Sequence, residues 1–206
     1  MNELRKIRSM SDRRYDQLLR IKTVGIREVN ETSHHRYEAT PYVALDKLFQ
    51  VYQLKKTDHF VDFGCGRGRV AFYIHYHFHL PVTGIEANDE TFAEALDNKE
   101  RYRLGAKHIN APIHFEFGLA EDYEVTPMDN CFYFFNPFSV HIFAKVVQNI
   151  LRSVKKRKRP VELILYYPLP EYKRFLKENT PFQLLNKVRA PGPHGKYGKF
   201  LIYRYA

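Results

Sequence analysis

A short apolar run, Phe60-Val61-Asp62-Phe63, is followed by glycine at three alternate positions, Gly64, Gly66 and Gly68, and then by Val70-Ala71-Phe72-Tyr73-Ile74. Few folds accept that order. Four residues closed off by glycine fit a buried strand, and the apolar pattern after Gly68 restarts as a helix. Glycine tolerates positive φ and lets a ligand come close to the backbone. A strand, a glycine-rich turn and a helix N-terminus together make a cradle for a polar ligand. Asp62 lies at the strand end, its carboxylate aimed at the turn. The dinucleotide fingerprint G-x-G-x-x-G needs glycine where this chain has Arg69, whose side chain obstructs helix packing and pyrophosphate approach.

Around this core the patterns alternate. Further strands are expected over 81–86, 113–117, 131–135, 161–167, 182–188 and 199–205, and helices over 70–78, 89–104, 139–152 and 170–179. Thr40 is a suitable N-cap and Pro41 a suitable first residue for another helix carrying Val43, Leu45, Leu48 and Tyr52; Asp89 is the expected cap of the helix that it opens. Alternation implies an α/β fold, a doubly wound, mostly parallel sheet of seven strands with helices on both faces. The last two strands follow each other with no helix between. Residues 2–22 read as one or two amphipathic helices broken near Ser9–Ser11, and 24–29 as a short strand. The expected division is an N-terminal helical extension or lid, 1–36, and a Rossmann-like domain, 37–206.

With 206 residues the chain can bury a real core. Two cysteines, Cys65 and Cys131, make no disulfide framework, and no signal peptide is read, so a reduced, cytoplasmic setting is expected. The net charge of +10 fits a polyanionic partner or simple solubility equally well. His75, His77 and His79 do not share a helix face, which argues against a metal site; a solvated helix end, with cationic histidine complementing the dipole, is expected. The run Lys155-Lys156-Arg157-Lys158-Arg159 reads first as helix termination and second as a phosphate contact or a nuclear-localisation patch.

The pattern D-x-G-x-G-x-G resembles motif I of the class I S-adenosylmethionine-dependent methyltransferases. The resemblance covers roughly residue 37 to the C-terminus. It implies S-adenosylmethionine as cofactor, bound by Asp62, Phe63, Gly64, Cys65, Gly66 and Gly68, with the acid near the amino-acid end. Glu86 ends the second strand, where a carboxylate can take both ribose hydroxyls of a nucleoside. With Ala87 it resembles motif II. After the third strand the family usually places an acid at the adenine. That place is Leu119 here, leaving the Ala120 amide and Glu121 or Asp122 for the ring. Before the first strand, Tyr37-Glu38-Ala39-Thr40-Pro41-Tyr42 resembles the closing loop of non-SET protein lysine methyltransferases and their bacterial relatives, which adds Tyr37 and Thr40 to the cofactor residues.

Phe135-Asn136-Pro137-Phe138 resembles the Asn-Pro-Pro-aromatic motif of amino-methylating members, with one proline missing. The resemblance implies that Asn136 and the Pro137 carbonyl orient an amine while Phe138 packs on it. A nitrogen acceptor is therefore expected, in a nucleic acid, a protein or a small molecule. An RNA or DNA base methyltransferase and a non-catalytic module that has kept the fold remain as alternatives.

Overall fold

The computed structural model describes residues 10–25, 38–193, 195 and 198–206. The helices are α1 (Asp12–Leu19), α2 (Tyr42–Phe49), α3 (Arg69–Phe78), α4 (Asp89–Gly105), α5 (Val140–Lys156) and α6 (Pro170–Asn179). The strands are β1 (Phe60–Phe63), β2 (Val82–Glu86), β3 (Ile113–Phe117), β4 (Cys131–Phe134), β5 (Val161–Tyr166), β6 (Gln183–Arg189) and β7 (Lys199–Tyr205). They form one sheet in the order β3-β2-β1-β4-β5-β7-β6. The pairs β3-β2, β2-β1, β1-β4 and β4-β5 are parallel, and β7 runs antiparallel to both β5 and β6. The order reverses between β1, which passes to β2, and β4. Ligands of open α/β sheets bind outside the carboxyl ends of the strands at such a switch.

Period-two alternation splits the core between the two faces. Phe60, Cys131, Tyr133 and Ile202 pack with α1, α2 and α3 on one face. Val61, Phe63, Phe132, Phe134 and Leu163 pack with α5 and α6 on the other. Helix α1 is integral to the first face: Tyr15 stacks on Tyr42 with ring centroids 3.9 Å apart, and Leu19 and Ile21 lie in the same buried cluster.

Several expectations shift by a residue. Helix α2 starts at Tyr42 with Pro41 as N-cap, because the Thr40 hydroxyl is bonded to the Tyr133 hydroxyl at 2.7 Å. Asn88, not Asp89, caps α4 by accepting from the Thr91 N–H at 2.8 Å. The expected strand over 24–29 does not begin at Val24 or Gly25, which are loop; its remainder, like the expected helix before Met10, lies outside the described residues. The histidine expectation is corrected. His75 is buried, bonded to the Tyr102 hydroxyl at 2.7 Å and to the Ala111 carbonyl at 2.8 Å, and burial lowers its pKa. His77 pairs with the Tyr15 hydroxyl, and burial, helped by His79, takes its pKa down to about 4. Both are neutral: α4 and the loop before β3 enclose His75, and Tyr15 of α1 covers the half-buried His77, while His79 is exposed at the helix end as expected.

Candidate active site

The turn after β1 is built from backbone. Gly64, Gly66 and Gly68 have φ of 69°, 55° and 86°, the left-handed region that side-chain-bearing residues avoid. The Gly64 and Cys65 amides both donate to the Ile85 carbonyl, at 2.9 and 3.0 Å. The Gly68 amide donates to the Cys65 carbonyl at 2.9 Å, which closes the loop onto the start of α3. A Cβ on Gly64 would lie 2.4 Å from the Pro137 Cβ, and one on Gly68 2.7 Å from the Phe115 ring. The glycines are therefore required by packing as well as by φ.

Two acids flank this loop. Asp62 is buried at the end of β1, and burial, with Glu86 adding to it, pushes its pKa up to about 8. Glu86, at the end of β2, reaches back over the loop. One carboxylate oxygen accepts from the Gly66 N–H at 2.8 Å and the other from the Asn88 N–H at 2.9 Å. Each carboxylate oxygen has two lone pairs, so a diol can be added without breaking either contact. Beyond Glu86 the ends of β3 and its loop present Phe117, 58% exposed, and Leu119, 44% exposed; Phe117 rests on Phe92 with centroids 5.5 Å apart. This apolar lip beside Glu86 can carry a flat ring.

A narrow cleft open to solvent is lined by Thr40, Asp62, Gly64, Cys65, Arg69 and Phe135, among others. Arg69 is only 3% exposed. Its guanidinium donates to Asp12 at 2.5 Å, to the Thr23 hydroxyl at 2.6 Å and to the Thr40 carbonyl at 3.2 Å, and lies 4.6 Å over the Tyr42 ring. Asn98 bonds Lys22 at both backbone groups and the Arg67 carbonyl. Residues 20–25 are thus fastened directly to the glycine loop.

The cleft brings together Thr40, Asp62, Gly64 and Cys65 from the expected set, with Glu86 and Gly66 joined at its edge. Other expected residues are placed elsewhere. The Phe63 ring is buried between β4 and Tyr123, leaving only its backbone toward the loop. Glu121 pairs with Lys145 on α5 at 3.6 Å, and its carbonyl accepts from Asn149 at 2.6 Å. Its other carboxylate oxygen is buried with no hydrogen-bond partner among the described residues. Ala120 is buried in the short 3-10 turn Ala120–Asp122, Ala87 is half-buried beside Glu86, and Tyr37 lies outside the described residues. Phe138 is 2% exposed and packs edge-on to Phe134 in the α5-side core, so it cannot cover an acceptor; the aromatics lining the cleft are Tyr133 and Phe135. The Asn136 amide donates to the Tyr167 carbonyl and its oxygen accepts from the Leu169 N–H at 3.2 Å.

Asn136 and Tyr167 both have positive φ, 43° and 48°. Left-handed backbone is uncommon for non-glycine residues and costs about 1–3 kcal/mol where the surroundings impose it. Two such residues at adjoining strand ends, tied by the Asn136 side chain, mark a fixed platform beside the cleft. Sequence reading misses Phe135, Arg69, Tyr133 and the platform. The apolar run of β4 hides which of its aromatics faces outward, and a side-chain bond spanning 31 residues leaves no local pattern.

Known structures place this architecture. The chain is similar to an RNA methyltransferase from Salinibacter ruber in complex with S-adenosyl-L-homocysteine, at 15% identity and TM-score 0.53 over 82% of this chain and 92% of that one. It is similar to fibrillarin from Aeropyrum pernix with natively bound S-adenosyl-L-methionine, at 15% identity and TM-score 0.55 over 79% and 73%. It is also similar to the [4+2]-cyclase SpnF, at 15% identity and TM-score 0.58 over 77% and 79%. Neither a protein-family model nor a curated protein matches the chain. The fold is that of the class I, seven-strand, Rossmann-like methyltransferases.

Proposed function

We propose that the protein is an S-adenosylmethionine-dependent methyltransferase. The observation that carries this reading is the pair of acids, Asp62 and Glu86, closing on a glycine loop whose cations are already matched. Arg67 pairs with Glu94 at 2.6 Å and Arg69 with Asp12 at 2.5 Å. A pyrophosphate would meet the Glu86 carboxylate and the Asp62 acid there; a sulfonium with an ammonium group and a ribose diol meets what it needs. Asp62 serves the amino-acid end. The Glu86 oxygens accept from the ribose hydroxyls, and Phe117 with Leu119 carries the adenine. When bound, the cofactor supplies an activated methyl group. The chain's contribution is alignment of an acceptor with that methyl and exclusion of water from the cleft.

Nitrogen is the finer reading of the acceptor. With Phe138 in the core it rests on Asn136, whose oxygen keeps a lone pair beyond the one given to Leu169, and on Phe135 at the cleft wall. A cytoplasmic setting fits two buried, unpaired cysteines. Calorimetric titration tests the reading: S-adenosylhomocysteine should bind and NAD should not. Tight NAD binding with no response to S-adenosylhomocysteine would sink it.

A further inference from the structure

The carboxyl edge of the sheet carries a second feature outside the cleft. In the β6–β7 pair Arg189 lies opposite Lys199 and Lys187 opposite Leu201. Residues directly opposite or two apart share a face, so Lys187, Arg189 and Lys199 project together. Leu201 lies in the cluster covered by α5 and α6, which fixes that face as the α6 side. Lys173 stands on α6. Burial, then Lys173 and Lys187, lower the pKa of Lys199, so these ammonium groups feel one another. Several cations in other parts of the molecule are paired, as in Arg67–Glu94, Lys145–Glu121 and Arg204–Glu162. Among the described residues, none of these four is within ion-pair distance of a carboxylate. Unmatched like charges in one place oppose folding and are repaid by an anion.

The rim is continuous with the cleft. The Tyr167 N–H donates to the Lys199 carbonyl at 2.9 Å, the Tyr167 carbonyl accepts from Asn136, and Phe135 next to Asn136 lines the cleft. The half-exposed Tyr167 links Lys199 on one side to Asn136 on the other. Resting on the methyltransferase reading, we propose that Lys173, Lys187, Arg189 and Lys199 dock the phosphates of a single-stranded nucleic acid, with Tyr167 stacking on a base and the neighbouring base entering the cleft. Single strands suit this because aromatic faces stack on unpaired bases and because a base reaches a recessed site only outside a duplex stack. The other basic run, Lys155 to Lys158, lies at the end of α5, where the chain turns back into the start of β5. That is the amino edge of the sheet, opposite the cleft, and it serves there as the helix's electrostatic terminus.

Fluorescence anisotropy with labelled 20-mers of uridylate RNA and thymidylate DNA separates the two runs. The variants are the rim pair Lys187→Glu with Lys199→Glu, Lys187→Glu alone as a single change at an exposed position, and the α5 pair Lys155→Glu with Lys158→Glu. The rim pair should weaken binding by roughly tenfold or more near 0.1 M salt, and flatten the slope of log affinity against log salt by about 0.7 for each phosphate that is no longer neutralised. Lys187→Glu alone should weaken it by about threefold, and the α5 pair by less. A stronger response from RNA assigns an RNA acceptor and the reverse assigns DNA. Unchanged binding in both rim variants, an equal loss in the α5 pair, or equal displacement of the oligonucleotides by polyglutamate overturns the proposal, the last in favour of an acidic protein. Titration of S-adenosylhomocysteine into the rim variants should match wild type. If the wild type does not bind it while the rim still governs oligonucleotide binding, the methyltransferase reading fails and the docking surface stands.

Discussion

The two halves of the site are held open by opposite means. At the ends of β1 and β2 the space is made by what is missing. Glycine without a Cβ lets Pro137 and Phe115 approach within distances that no other residue permits, and the left-handed turns carry no strain because glycine adopts them freely. At the ends of β4 and β5 the shape is made by what is present. Asn136 and Tyr167 sit in left-handed backbone without being glycine, and the Asn136 side chain holds the two loops together. A cofactor bound through its backbone contacts needs room, whereas an acceptor needs to be aimed. The first half tolerates no addition and the second tolerates no removal.

The largest effect should come from Gly64→Ala. The new Cβ meets Pro137 at 2.4 Å in a backbone that already has φ of 69°, so strain of about 1–3 kcal/mol adds to a clash. S-adenosylhomocysteine binding should be lost in calorimetry and the melting temperature should fall. Binding that survives would remove the glycine loop from the site.

Asp62→Asn comes next and brings a pH signature. Burial and Glu86 raise the Asp62 pKa to about 8, against an unfolded value near 3.8. Below the unfolded pKa both states hold the proton and Asp62 costs nothing. Its cost grows as pH rises from about 4 to about 8 and is constant above. The asparagine variant should therefore match wild type in denaturant titrations at about pH 4 and exceed it at about pH 9. Cofactor binding that requires the carboxylate releases a proton below about pH 8, so wild-type affinity should climb from about pH 6 to about pH 8 and level off. In Asp62→Asn that climb should be absent. A wild-type affinity flat across this range would mean that Asp62 does not ionise on binding.

Glu86→Ala should be milder. Charge-assisted hydrogen bonds contribute about 1.5–3 kcal/mol each, so affinity should drop by roughly tenfold or more; the Gly66 and Asn88 amides are left to water. An unchanged affinity in a folded variant would take Glu86 out of the cofactor site. Asn136→Ala should barely touch cofactor affinity. It should lower stability, since the Tyr167 carbonyl and Leu169 N–H lose their partner, at about 1–3 kcal/mol for unsatisfied groups. If it instead abolished cofactor binding, the separation of the two halves would fail.

The same contrast decides how far the sequence could be read. The half proposed to hold the cofactor is written in consecutive residues: Asp62, three spaced glycines and the acid that ends the next strand. The parallel sheet followed from alternation, and the missing helix between the last two strands marked the antiparallel edge formed by β6 and β7. The half proposed to aim the acceptor is written in contacts 31 and 33 residues apart. Phe138 looked like a site aromatic because it follows Asn-Pro, yet its carbonyl is bonded to the Tyr172 hydroxyl and its ring fills the α5-side core. Glu121 lies at a loop position rich in acids, and its contact with Lys145 on α5, 24 residues on, left no local pattern. His75 and His77 looked solvated because what covers them is distant in sequence: Tyr102 and Ala111 lie 27 and 36 residues from His75, and Tyr15 of α1 lies 62 residues from His77.

A crystal structure of the protein with S-adenosylhomocysteine tests the central claim most directly. The ligand should lie across the carboxyl ends of β1 and β2, with its ribose hydroxyls within hydrogen-bond distance of Glu86, its amino-acid end beside Asp62 and the glycine loop, and its sulfur turned toward Asn136. A ligand bound anywhere else, or one whose ribose does not touch Glu86, would contradict the assignment of this cleft.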